Sequence, residues 1–170
     1  DKTDLELPKS QLNLLDSIIE TKRPFVVCMM AGSSIDMKKI SEYAKGILQT
    51  WYPGARGGQT VADILFGNVS PSGKLPITLY KDLEGFPKFT DYSMKGRTYR
   101  YIEKEPLYPF GYGLSYTTFD YSALKIENPV IGTQGSVKLS CRVKNTGKIA
   151  GDEVVQLYLH DEVSSVTTYV

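Results

Sequence analysis

Between Gly96 and Phe119 the chain reads GRTYRYIEKEPLYPFGYGLSYTTF, and no regular element can run through it. Pro106 and Pro109 fix φ and remove amide donors, while Gly111 and Gly113 open the φ > 0 region. Tyr99, Tyr101, Tyr108, Phe110, Tyr112, Tyr116 and Phe119 fall in the same stretch. The backbone there must bend irregularly under a cladding of rings. Such a segment reads as a seam, where two domains meet or where aromatic faces flank a sugar-like ligand. The hydrophobic period differs on its two sides, which favours the junction.

Before the seam the pattern is that of an α/β protein. Residues 8–20 read as an amphipathic helix, with Leu12, Leu15 and Ile19 on one face and Pro8 at its first turn. Residues 25–30 (FVVCMM) form a continuous apolar run, as in a parallel strand buried on both faces. A turn at Gly32–Ser34 follows, with Ser34 or Asp36 as the cap of a helix reaching about Ala44. Residues 47–52 read as a second strand, 53–58 as a glycine-rich loop and 60–66 as a helix stopped by Gly67. A turn at 70–74 leads to a strand at 75–80. Helix, strand, helix, strand, helix is the α/β rhythm.

After Tyr116 the period becomes two. Residues 121–127 read as one strand. Val137, Leu139, Cys141 and Val143 alternate with polar residues, as in a half-buried strand. A turn at Asn145–Gly147 precedes a third alternating run containing Val155, Leu157 and Leu159. Three strands are too few for an antiparallel sandwich of about seven. The chain starts at Asp1 and stops at Val170 inside a strand-like pattern, so it is expected to be a piece of a longer protein.

The 170 residues carry a net charge of +1, from 20 basic and 19 acidic groups. That balance gives no electrostatic case for nucleic acid or an anionic membrane. No apolar run approaches the roughly 20 residues that span a bilayer. Cys28 and Cys141 are expected to be buried thiols. His160 is the lone histidine, so a metal site of the usual Cys/His kind is not expected. The loop Gly54–Gly58 sits where phosphates are often cradled, but it lacks the phosphate-loop and dinucleotide spacings. Close backbone packing explains its glycines better. No G-x-S-x-G elbow is present. The catalytic candidates that remain are carboxylates: Asp1, Asp4 and Glu6 near the start, and Glu103 and Glu105 beside the seam. Nothing in the pattern pairs any two, and a solvated surface role fits Glu103 and Glu105. Trp51 and the tyrosines could stack on sugars, although packing within the fold explains each of them singly.

Read in order, several motifs resemble the C-terminal portion of a family 3 glycoside hydrolase. They are DKTDLELP with Gln11, WYPG followed by Gly57 and Gly58, ADILFG, PSGKLP and YPFGYGLSYTTF, then GDEVVQLYL and Ser164-Ser165-Val166. The resemblance implies that residues 1–113 are the later part of an α/β sandwich domain. Residues 114–170 would be the truncated start of an all-β fibronectin type III-like sandwich. It implies a parent that is an exo-acting retaining β-glucosidase or β-xylosidase without cofactor. In such enzymes an N-terminal (β/α)₈ barrel carries the Asp nucleophile, and the acid/base Glu lies shortly upstream of the segment matched by residues 1–8. On this reading the chain itself holds no catalytic residue and no metal ligand, and no substrate-binding residue is assigned. Its partners would be a small saccharide or oligosaccharide and the missing barrel on which it docks. The −1 subsite lies mostly on that barrel, so xylose and glucose are not separated. The family favours a periplasmic or secreted location. Two other readings stay open. One is a non-catalytic carbohydrate-binding or scaffold module resting on the seam. The other is a nucleotide-binding domain resting on the Gly54–Gly58 loop.

Overall fold

The computed structural model describes residues 4–163. Two compact units divide it. The first takes the chain as far as Ala62, Lys74–Tyr112 and the residues from Gln156; the second takes Asp63–Gly73 and Gly113–Val155.

In the first unit, helix α1 spans Lys9–Glu20 behind an extended Pro8. Its Leu15 and Ile19 face the core, as the helical spacing predicts. Strand β1 (Val26–Met29), helix α2 (Lys38–Tyr43) and strand β2 (Gly46–Gln49) form a β-α-β turn of chain. The two strands pair in parallel, Val26 with Gly46 through Met29 with Gln49. The apolar run does make a strand, but only Met29 is buried and Val26 is 48% exposed. Two strands and their helices give too little cover to bury both faces. Helix α2 carries no side-chain cap; its N-cap is Met37. Asp36 acts one residue earlier, where its Oδ1 accepts the Lys38 amide at 2.9 Å. Leu15, Met29, Met37, Ile40 and Leu79 form the buried core.

Helix α3 runs over Gly57–Leu65, three residues earlier than the pattern suggested. Gly54 adopts φ +70° and its carbonyl accepts the Gly57 amide, so the glycine loop is a tight turn into the helix. Gly67, at φ +77°, ends it. The strand expected at 75–80 is only an isolated antiparallel bridge, Leu79 to Tyr108. Pro76 and Pro109, on its two sides, have no amide to donate. Hydrogen bonds from Leu75 to Tyr112 and from Gly111 to Leu75 continue the contact without a ladder. Helix α4 is a single turn, Thr98–Tyr101.

The second unit holds the antiparallel pair β3 (Phe119–Glu127) and β4 (Lys138–Asn145). Tyr121 pairs with Val143 and Ile126 with Leu139, although Ile126 lies five positions after Tyr121. A bulge between Ser122 and Lys125, with Ala123 at φ +54°, absorbs the odd spacing. One face therefore carries Tyr121, Ile126, Leu139, Cys141 and Val143. The other carries Asp120, Ser122, Lys125, Glu127, Lys138, Ser140, Arg142 and Lys144. Both faces are exposed, so β4 is not the half-buried strand of the sequence pattern. Cys141 is likewise an exposed thiol rather than a buried one, and Cys28 is half-buried. Among the described residues the run Val155–Leu159 forms no strand. Thr117 anchors the Asn145 turn by donating to Asn145 Oδ1 at 2.7 Å.

Candidate functional site

Parallel strands place their ligand crevice at the carboxyl ends. In the first unit those ends are Ala31–Ser34 after β1 and Thr50–Tyr52 after β2. Trp51 takes φ +53°, a strained conformation for a bulky residue. Tyr52 is 82% exposed, and its ring lies over Gly32 so closely that a Cβ there would sit 2.8 Å from Cζ. Gln49 Nε2 donates to the Ala31 carbonyl at 2.8 Å. Ser34 Oγ and Gln49 Oε1 are buried without a hydrogen-bond partner. The start of the chain is tied to the same end of β1, because the Leu5 carbonyl accepts the Asp36 amide at 2.8 Å. A Cβ on Gly57 would strike the Pro53 ring, so that glycine serves close packing, as its loop pattern suggested.

A second feature of this unit is a cleft of about 290 Å³ lined by Glu84, Phe86, Pro87, Asp91, Lys95, Ile102, Glu103 and Lys104, among others. Arg97 organises the segment around it. Its Nη2 donates to the carbonyls of Pro87 (3.2 Å), Lys88 (2.9 Å) and Asp91 (3.4 Å). Lys104 Nζ donates to the Glu84 carbonyl at 2.8 Å. Asp91 Oδ1 accepts the Ser93 amide at 2.8 Å. That bond, the Ser93 hydroxyl and the Arg97 charge hold its carboxyl below the usual carboxylate range.

The rings of the seam that fall in this unit pack on one another. Tyr99 stacks on Phe110 at 4.3 Å, meets Tyr158 edge-on at 6.3 Å and lies under the Arg100 guanidinium. Tyr108 and Tyr112 are tilted together at 5.1 Å. Burial pushes the Tyr108 phenol above its ordinary range, Tyr112 adds to this, and the Ser41 hydroxyl opposes it. Packing therefore accounts for these rings.

The candidate carboxylates of the described residues meet different partners. Glu105, 87% exposed, pairs with Lys81 at 3.1 Å. Glu103 lines the cleft. Asp4 Oδ1 accepts the Glu6 amide at 3.0 Å, and Asp1 lies outside the described residues. His160 is exposed.

A family model for the glycosyl hydrolase family 3 C-terminal domain matches residues 1–116. The chain belongs to glycoside hydrolase family 3. It is similar to a β-xylosidase of Formosa agariphila, 41% identical over all of this chain and 24% of the relative. A periplasmic β-glucosidase of Salmonella typhimurium is 38% identical over 98% of the chain and 23% of its own length. The chain thus spans about a quarter of these relatives. Among solved structures, a β-glucosidase from Erythrobacter marinus superposes with a TM-score of 0.83 at 38% identity, over 99% of this chain and 22% of that one. A mutant β-glucosidase from Listeria innocua in complex with laminaribiose gives a TM-score of 0.76 at 30% identity, over 98% and 25%.

Within this family 3 C-terminal domain, sequence reasoning missed the role of Arg97 and the cleft beside it. The signal was a cationic side chain between two positions, Gly96 and Thr98, that both adopt positive φ. Positive φ at Thr98 is not written in its residue type, so the geometry was out of reach.

Proposed function

We propose that this chain is part of an exo-acting retaining β-glycosidase, a β-glucosidase or β-xylosidase, whose two catalytic carboxylates lie outside residues 1–170. The family match over residues 1–116 carries the reading. Retaining hydrolysis needs a nucleophile and an acid/base about 5–5.5 Å apart, and no residue here matches either family role. The Asp36 amide donates to the Leu5 carbonyl and so ties the start of the described chain to the crevice of the parallel strands. The substrate would be a terminal β-linked glucose or xylose, bound jointly with a barrel on which this chain docks.

On the same reading, residues 1–113 are the later part of the α/β sandwich domain and 114–170 the start of a fibronectin type III-like sandwich. The uncovered apolar face of β3 and β4 favours this, since a second sheet would cover it. The test is turnover of nitrophenyl β-glucoside and β-xyloside. The full-length protein should hydrolyse one or both, and the separate 170-residue chain should hydrolyse neither.

A further inference from the structure

We propose that Trp51 and Tyr52 form a strap that swings off Gly32, and that its open position uncovers a polar site made by Ser34 and Gln49. The strap belongs to the first unit alone, and it stands whether or not the glycosidase reading does.

Both ends of the strap are pinned. Thr50 is tied twice to the end of β1: its amide donates to the Met29 carbonyl at 2.9 Å and its hydroxyl donates there at 3.1 Å. On the other side Pro53 has a fixed φ. Its ring lies so close to Gly57, the first residue of α3, that a Cβ there would sit 2.6 Å from it. Trp51 and Tyr52 are the residues left between the pins, so a local rearrangement falls on them.

The closed position is held at a cost. Trp51 sits at φ +53°, which a bulky residue keeps only where its surroundings impose it. The Tyr52 ring lies over Gly32 yet the residue is 82% exposed, so burial stabilises it little. Two polar atoms of the same strand ends go unanswered. Gln49 donates its Nε2 to the carbonyl of Ala31, the residue before Gly32, and leaves Oε1 buried without a partner. Ser34, shortly after Gly32, leaves its Oγ in the same state. A buried polar atom without a partner costs its full desolvation. Strain, thin packing and two unanswered atoms thus meet at one place, the carboxyl ends where parallel sheets take their ligands. With Trp51 at negative φ, the strain is relieved, and solvent or a neutral hydrogen-bond donor can reach both atoms. Gln49 Oε1 only accepts, and Ser34 Oγ both donates and accepts. Whatever binds the open position better shifts the population toward it.

The experiment uses the full-length protein with fluorotyrosine placed at position 52 and reads the strap by fluorine NMR. Gly32→Ala is the wedge: its Cβ would sit 2.8 Å from Tyr52 Cζ, at the far end of a side chain that can move away. It should raise the ratio of open to closed signal about tenfold over the unsubstituted protein. Two further changes are made in the Gly32→Ala background, where the open signal is well populated. Ser34→Ala removes one unanswered atom from the closed position and should lower the ratio about fivefold. Trp51→Asn supplies a residue that tolerates positive φ and should lower it about threefold. A single signal at one position in both the unsubstituted protein and Gly32→Ala would overturn the strap. A ratio that Ser34→Ala leaves unchanged would overturn its link to the polar site, and with it the proposal.

Discussion

Replacing Gly111 by Ala tests how the YPFGYG stretch is held. Gly111 sits at φ +79°, donates its amide to the Leu75 carbonyl at 2.7 Å and accepts Gln156 Nε2 at 3.2 Å. An L-residue in that conformation costs about 1–2 kcal/mol. The new Cβ would lie 2.8 Å from Gln156 Cδ and nearer still to its amide oxygen. The carboxamide must swing away, and its hydrogen bond contributes about 0.5–1.5 kcal/mol. The sum is about 1.5–3.5 kcal/mol. Amide exchange at Leu75 and Leu79 in the full-length protein reads it as a loss of protection of about 10- to 400-fold, at about 1.36 kcal/mol per decade. Gln156→Ala alone should cost about 1 kcal/mol. In that background Gly111→Ala should cost only the backbone part, giving a coupling near 1 kcal/mol. A cost under about 0.5 kcal/mol for Gly111→Ala, or strict additivity of the two changes, would refute the geometry.

Met37 is 1% exposed at the centre of the core. Met37→Ala should destabilise the first unit by about 2–5 kcal/mol, while Met30→Ala, at a residue 62% exposed, should shift it by less than about 0.5 kcal/mol; denaturant midpoints of the two variants check this. The Tyr108 phenol has its pKa raised on folding, so the folded state holds its proton longer than the unfolded chain does. Its contribution to stability is complete below the unfolded value and is lost as pH rises through the folded one. Phenolate absorbance should show Tyr108 titrating later in the native protein than after unfolding, and a Tyr108→Phe variant should lose less stability at alkaline pH.

Much of the first unit was legible because its cues are local. The 3.6-residue spacing of Leu12, Leu15 and Ile19 needs no distant partner to specify α1, and Gly67 stops α3 by its own conformational freedom. The expected strand at 75–80 was only partly legible as a bridge, because Pro76 weakens it locally but Pro109, on the facing segment, lies about thirty residues away. The burial of β4 was overestimated for a related reason. Alternation says which residues share a face, and the bulge at Ser122/Lys125 keeps that face continuous, but nothing in alternation says whether another layer covers it. The cleft was hidden because it is made by one Arg97 side chain bonding to carbonyls, which exist at every residue and leave no mark in the sequence. The family was the most legible feature, since it depends on ordered motifs spread along the chain rather than on any single geometry.

The central claim is that the catalytic carboxylates lie outside this chain. The most direct measurement is hydrolysis of nitrophenyl β-xyloside and β-glucoside by the purified 170-residue chain beside the full-length protein, at equal molarity. The account predicts turnover by the full-length protein and a rate for the separate chain no different from buffer. Turnover by the separate chain that survives further purification would contradict it.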